Sequence, residues 1–271
     1  MTDSEKHQMK KHNSIDLLVD NLANQFSNIK NFELTQNDPM GNKFFNFIVK
    51  HSTELEAFKN LFVHYYLPAS IKSSQDFSRE LKFSKYKNVI KINAEELKEN
   101  YFETIRLGYV GAFHKYETYI KSISKLMDEF FLDLIDEGDY QNIEPYLKEN
   151  FNVELKKTIN NFPASEKINW IANCVKHYGG YPIKQPVLHS FNNADKSEKI
   201  KIEAKEFRED LDNLLRQNQT ILSALFLVGF HQFAGQEHSN IKEQLSEGKT
   251  EEDVKAVRSK LEESIKFLFN I

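Results

Sequence analysis

An asparagine, a lysine and a histidine are grouped in the stretch Asn173–Gly180, where a predicted amphipathic helix runs into a pair of glycines. Residues four apart share one face of a helix, so Asn173 and His177 form a polar row. Near neutral pH a histidine serves as general acid or base, and an asparagine one turn earlier can orient the imidazole or hold a phosphate oxygen. Lys176 would supply a cation for the phosphate. Metal-independent cleavage of RNA needs little more than such a base and such a cation, so these residues are candidates for that chemistry.

The same stretch is also typical of an ordinary helix end. Lysine and histidine in a last turn interact favourably with the helix dipole and the unpaired carbonyl groups. Gly179 or Gly180 would then be a common C-terminal stop. A catalytic histidine and a simple helix end both remain open from the sequence alone.

Composition indicates a globular and mainly helical protein of 271 residues, of which 40% are hydrophobic and 22 are phenylalanine. No glycine occurs between Asn42 and Leu107, which favours long helices over the tight turns of a β-sandwich or barrel. The net charge is -4, from 36 basic and 40 acidic residues. This balance excludes a positive field over the whole protein that would attract nucleic acid. Any attraction would have to come from a local basic patch.

Several features predict a cytoplasmic protein. The single cysteine, Cys174, excludes an internal disulfide and a multi-cysteine metal site. Met1–Asn13 is polar, unlike a secretory signal, and the most apolar run, Ile221–Phe230, is shorter than the roughly 20 residues that span a bilayer. His114 and Glu117, one helical turn apart, could form a metal pair, but no further residues have the spacing of metal ligands. We therefore expect no membrane partner, no metal and no cofactor.

Apolar residues recur at spacings of three and four along most of the chain, which predicts an all-α helical bundle with long antiparallel helices. One predicted helix, Lys43–Tyr66, should end before Pro68. Asn93 followed by Glu96 resembles a capping box and opens the longest predicted helix, which should end at Gly138.

Two glycines, Gly108 and Gly111, lie inside that longest helix. Each costs about 1 kcal/mol relative to alanine, so a close helix crossing is expected there. The helix of the candidate site should start at Pro163 and Ser165. Further helices are predicted for Ala204–Ala234 and after Thr250.

Two charged residues of the longest helix are candidates for supporting the site. Glu117 shares a helical row with Phe113, and Arg106 lies eleven residues earlier at nearly the same angle. A carboxylate on an apolar face needs a partner. Glu117 would either orient His177 or Asn173, or form an ordinary ion pair or rim charge, and the second interpretation is favoured.

The predicted helix Tyr101–Met127, with Glu117, followed by Asn173-Cys-Val-Lys-His177 and Gly179, resembles the HEPN superfamily. The later stretch Ile200-Lys-Ile202 before a long helix is similar to the segment that often follows the motif there. The resemblance covers about residues 94–235. It implies a helical bundle, usually a homodimer, of a kind found in prokaryotic defence and toxin–antitoxin systems, many members being metal-independent ribonucleases.

The chain departs from the HEPN motif at its arginine, because Trp170, Ile171 and Ala172 occupy the expected positions. Arginine has a permanent charge and a fork suited to phosphate. Either Lys176, Lys167 or a partner chain supplies the cation, or cleavage is lost. We favour a protein that binds RNA or a protein partner without cleavage.

Two alternatives remain beside that interpretation. One is an active endoribonuclease using His177 and Asn173, and the other is a non-catalytic helical interaction or sensor protein. The expected partners are a second copy of the chain, RNA, and an antitoxin or another defence protein. The expected organisation is a disordered tail at 1–13, a helical N-terminal extension at 14–92 and a HEPN-like bundle at 93–271.

Overall fold

The computed structural model describes residues 39–129 and 162–231, together with a few single positions elsewhere. In chain order the elements are α1 (Pro39–Leu61), a π-helical segment (Phe62–Tyr66), α2 (Leu67–Phe83), α3 (Ala94–Met127), α4 (Pro163–Tyr178), a 3-10 turn (His189–Phe191) and α5 (Ala204–His231). The two described ranges contain no β-strand, so the predicted all-α class is confirmed. The tail 1–13, the stop at Gly138 and the helix after Thr250 lie outside the described residues.

Pro68 does not interrupt the helical path, so the predicted break before it is wrong. The backbone N–H of Leu67 donates to the carbonyl of Phe62, five residues back, and Tyr66 keeps a helical φ of -71° and ψ of -45°. In a regular α-helix the proline ring collides with the carbonyl four residues earlier, and the wider π-turn relieves this contact. Pro68 then lies in the first turn of α2, where its missing N–H costs little. The helical path therefore continues to Phe83.

The start of α3 is a reciprocal capping box, as predicted. The backbone N–H of Asn93 donates to the Glu96 carboxylate at 2.8 Å, and the N–H of Glu96 donates to Asn93 Oδ1 at 2.8 Å. Each bond satisfies an N–H that the helix leaves without a partner. This fixes the first residue of the helix that carries Arg106 and Glu117.

The chain divides into two compact units. The first comprises residues 1–54, 120–155 and 218–271, and the second comprises residues 55–119 and 156–217. Within the first unit, Ile48 and Ile123 are fully buried, and Gln219 donates to the Ser52 hydroxyl at 3.4 Å. All the candidate site residues belong to the second unit. The domain boundary expected at residue 93 stays a prediction.

In the second unit, Gly108 and Gly111 mark the close helix contacts that their sequence positions predict. A Cβ at Gly108 would lie 2.5 Å from Cζ of Phe207 in α5, and one at Gly111 would lie 2.8 Å from Cζ of Phe58 in α1. Phe207 is fully buried, with its ring centroid 5.0 Å from that of Tyr109. Close-packed aromatic rings thus occupy the space that the two glycines leave open.

A polar network crosses the core of the second unit. The Tyr109 hydroxyl donates to Asp210 at 2.5 Å, and Lys167 donates to Asp210 at 2.8 Å and to Glu206 at 3.0 Å. Burial raises the pKa of Asp210, although its hydrogen bonds with Lys167 and Tyr109 oppose the shift. Burial alone would lower the pKa of Lys167, but Asp210 and Glu206 outweigh it and raise the pKa. The network ties α3, α4 and α5 together.

None of the helices in the described ranges is long and apolar enough to cross a membrane.

Candidate functional site

Backbone groups cap the C-terminal end of α4. Gly179 has φ 61° and Gly180 has φ 88°, in the left-handed region that favours glycine. The N–H of Gly179 and that of Gly180, at 3.0 Å, both donate to the carbonyl of Cys174. This is the usual glycine stop of a helix. His177 is therefore not needed as a hydrogen-bonding cap for that carbonyl.

Three consecutive side chains at this end of α4 are exposed: Lys176, His177 and Tyr178. No hydrogen bond or ion pair joins His177 to another residue that the structure describes. The ammonium of Lys176 lies 4.9 Å from the ring centroid of Phe113 in α3, a cation–π contact. An accessible imidazole and an accessible cation thus occupy consecutive positions of α4, and these are the groups needed to bind or act on a phosphate.

Asn173 is directed back along its own helix. Its Nδ2 donates to the backbone carbonyl of Asn169 at 2.9 Å and to Asn169 Oδ1 at 2.5 Å. The side chain is half-buried, and no hydrogen bond joins it to His177. In this arrangement the Asn173 amide is held by its own helix, and it does not orient the imidazole.

Arg106 contacts the same stretch from α3, but its guanidinium is enclosed. The side chain is 1% exposed. It donates to Glu103 at 3.0 Å, to the Ile200 carbonyl at 2.9 Å and also to Glu99. A Cβ at Gly180 would lie 3.1 Å from its Cδ. Arg106 thus supports the backbone after α4, and its donors are not available to a ligand.

Glu117 is exposed on α3. Among the residues that the structure describes, neither Arg106 nor His177 forms an ion pair or hydrogen bond with it. The ion-pair partners of Arg106 are instead Glu103 and Glu99, which lie one and two turns before it on α3. The structure therefore does not bring Glu117 to the end of α4 as a hydrogen-bonding partner, and its position fits a rim charge.

Lys167 does not stand in for the missing arginine of the motif. Its ammonium forms ion pairs with Asp210 at 2.7 Å and with Glu206 at 3.0 Å. Moving it to a ligand would leave the buried Asp210 with one fewer donor, which is costly. Of the two lysines that the sequence offered, only Lys176 is accessible.

Trp170 holds the loop that follows α4. Its indole N–H donates to the carbonyls of Pro186 at 2.9 Å and Lys184 at 3.2 Å, and its ring stacks on Phe191 with centroids 4.8 Å apart. The side chain is buried, so it offers no face to a nucleic acid base. Tyr178, 40% exposed, is the aromatic ring of this stretch that can stack.

Lys184 is a further cation that helix periodicity could not identify, because it lies in the loop after α4. Its pKa is lowered, first by burial; Cys174 and Glu166 oppose the shift, and repulsion from Lys176 adds to it. The signal that sequence reasoning missed is the buried Trp170, whose indole N–H holds the backbone of Lys184 near the end of α4.

No family model, no curated protein and no solved structure matches this chain. Within the described residues, no group of three or more histidine, cysteine, aspartate or glutamate side chains is placed to hold a metal ion. The fold and the site therefore define an all-α protein with an exposed Lys-His-Tyr run at a glycine-capped helix end.

Proposed function

We propose that the chain is a HEPN-like helical protein of bacterial defence or toxin–antitoxin type, acting in the cytoplasm, that binds RNA at the end of α4 without cleaving it. One observation carries the proposal. Lys176, His177 and Tyr178 are consecutive and exposed, whereas Arg106, the described arginine that contacts this stretch, is enclosed by its own partners.

The exposed run has the chemistry for a single RNA strand. Lysines bind phosphates as point charges, and an aromatic ring stacks on a base of any identity. Lys176 and Lys184 supply the charges and Tyr178 supplies the ring. With a net charge of -4 for the whole chain, this attraction is local. Binding through two lysines should therefore be weak and sensitive to salt.

The residues around His177 support the proposed loss of cleavage. An acid–base histidine needs a cation on the phosphate where charge develops in the transition state, and arginine supplies this with a rigid two-point contact. The motif lacks arginine, Lys167 is held by Asp210, and Asn173 is held by Asn169. Lys176 offers a single flexible charge, which suits binding more than transition-state stabilisation.

An active metal-independent endoribonuclease is the second candidate. The exposure of His177, and its lack of a hydrogen bond or ion pair to other described residues, favour it, because a general base must reach the 2′-hydroxyl. This candidate requires Lys176 or a partner chain to supply the phosphate cation, and Asn173 to turn away from Asn169.

The proposal is tested with purified full-length protein and labelled single-stranded RNA. We expect binding without cleavage, and a log K that falls with log salt by about 0.7 for each phosphate neutralised. Lys176→Gln with Lys184→Gln should weaken binding and flatten this slope, whereas the exposed control Lys205→Gln should not. RNA that does not bind the wild-type protein would overturn the proposal.

Cleavage is scored in the same reactions with His177→Ala and the exposed control His189→Ala. We expect intact RNA with all three proteins. Cleavage by wild type and by His189→Ala, abolished in His177→Ala, would establish the nuclease instead.

Assembly belongs to the same proposal. The HEPN resemblance implies a homodimer in which the ends of α4 face each other, with an antitoxin or another defence protein as a further partner. Sedimentation equilibrium of the full chain should give twice the monomer mass of 31.8 kDa. A monomer at all concentrations would remove the dimer from the proposal and leave RNA binding to be judged by its own assay.

A further inference from the structure

A cavity of about 700 Å³ lies between α2 and α3 in the second unit. It shares no lining residue with the end of α4. Its walls are joined by a hydrogen bond from the Ser74 hydroxyl to the Leu97 carbonyl at 3.2 Å. A cavity of this size falls in the range of roughly 300–1,000 Å³ that is usual for small-molecule sites.

Three cations line the cavity, Arg79 and Lys82 from α2 and Lys98 from α3. With a rise of about 1.5 Å per residue, Arg79 and Lys82 lie roughly 12 and 16 Å further along α2 than Ile71, an apolar lining residue. Arg79 is paired with Asp76 at 3.3 Å, but both side chains are exposed, and such a pair is weak. An anionic ligand can therefore compete for the guanidinium. The positive charge from α2 is thus gathered towards one end of the cavity.

The lining also contains a tyrosine hydroxyl hydrogen-bonded to a carboxylate, Tyr101 and Glu203. Tyr101 donates its hydroxyl proton to Glu203 at 3.4 Å and accepts the backbone N–H of Ala204 at 3.0 Å. Burial raises the pKa of Tyr101, so the hydroxyl stays neutral at physiological pH. The carboxylate of Glu203 can accept hydrogen bonds from ligand hydroxyl or amino groups. Beside this pair, the Ile71 and Leu97 side chains offer an apolar surface.

We propose that this cavity binds a small phosphate monoester with an organic body, a nucleoside monophosphate or a sugar phosphate. The cations bind the phosphate, since arginine and lysine are the side chains suited to it. Glu203 binds hydroxyl groups of the body, and the apolar wall covers its carbon face. Inorganic phosphate alone would leave most of the volume unfilled. One carboxylate against three cations leaves a net positive lining, which suits an anion.

Calorimetric titration of the full chain with AMP, UMP, ribose 5-phosphate, adenosine and inorganic phosphate tests the proposal. We expect at least one monoester to bind about tenfold or more tightly than both adenosine and inorganic phosphate, a difference of about 1.4 kcal/mol. AMP and UMP against ribose 5-phosphate distinguish a nucleotide from a sugar phosphate. Binding should weaken as salt is added, because the cations are exposed.

The double variant Arg79→Gln with Lys82→Gln should weaken binding of the best monoester about tenfold or more, because it removes both charges that α2 offers to the phosphate. Arg216→Gln, exposed and outside the cavity, is the matched control and should bind as wild type. Thermal unfolding of all proteins verifies that they fold. No monoester binding at millimolar concentration, or equal binding by the double variant, would overturn the proposal. Neither result changes the RNA assay, which depends on Lys176 and Lys184.

Discussion

Arg106 illustrates how far single residues could be interpreted from sequence. Its position on the core-facing side of a long helix indicated a role near the candidate site, and it does contact Gly180. Its expected neighbour Glu117 is not its partner. The guanidinium of Arg106 instead donates hydrogen bonds to Glu99, Glu103 and the Ile200 carbonyl. Helical spacing gives the angle of a side chain but not the fold of a distant loop, so the contact with Ile200 could not be predicted.

The two glycines after α4 should differ in their tolerance of alanine. Both have positive φ, but a Cβ at Gly179 meets only the edge of Tyr181 at 3.7 Å, whereas at Gly180 it meets Arg106 at 3.1 Å. We expect Gly179→Ala to lower the free energy of unfolding by about 1 kcal/mol, the cost of left-handed backbone. Gly180→Ala should cost about 3 kcal/mol, because it also displaces the buried Arg106 side chain from its ion pairs with Glu99 and Glu103. Urea unfolding followed by circular dichroism measures both, and equal losses would contradict the role of Arg106.

Helix starts and stops were predictable where a local side chain or glycine sets them. The capping box at Asn93 and the stop at Gly179 are both local signals, and the structure confirms both. The start of α4 at Pro163 was also predicted, but the group that caps it was not. Phe162 provides no side-chain cap, and the amide oxygen of Gln217 accepts the N–H groups of Ala164 at 3.1 Å and Ser165 at 3.2 Å. A cap supplied from another helix leaves no trace in the local sequence.

The crossing at Gly108 gives a test at the scale of the element. Alanine at an exposed helix glycine gains about 1 kcal/mol, but here its Cβ would lie 2.5 Å from Cζ of Phe207. We expect Gly108→Ala to lower the free energy of unfolding by about 1–2 kcal/mol, because the cost of overpacking exceeds the gain in helix propensity. Leu107→Ala, at a 54% exposed position on the same helix, should be nearly neutral.

A double-mutant cycle separates this crossing from a general effect on α3. Phe207→Leu removes the ring that the new Cβ would meet, so Gly108→Ala should be less harmful in that background. The coupling energy should be about 1 kcal/mol in favour of the double variant. Additive losses would show that Gly108 is required for a reason other than contact with Phe207.

At the scale of the whole molecule, three buried tyrosines should control stability at high pH. Burial raises the pKa of Tyr116 from 10.0 to about 12, and it raises the pKa of Tyr109 and Tyr119 as well. These hydroxyls stay protonated in the fold at pH values where the unfolded chain has lost the same protons. Lys167, whose pKa is also raised in the fold, acts in the same direction. The folded state is therefore favoured below pH 10 and loses stability as pH rises further.

Tyr116→Phe tests this linkage, because phenylalanine keeps the ring and removes the ionisable group. Between pH 10 and pH 12, wild type should lose about 1.4 kcal/mol of unfolding free energy per pH unit for each such tyrosine. The slope for Tyr116→Phe should be shallower by that amount, whatever its offset at pH 7 from the lost hydrogen bond to Ser165. Tyr86→Phe, at a 56% exposed position, should keep the wild-type slope. Urea unfolding at pH 7, 10, 11 and 12 gives the slopes, and identical slopes for wild type and Tyr116→Phe would show that Tyr116 ionises alike in the folded and unfolded chain.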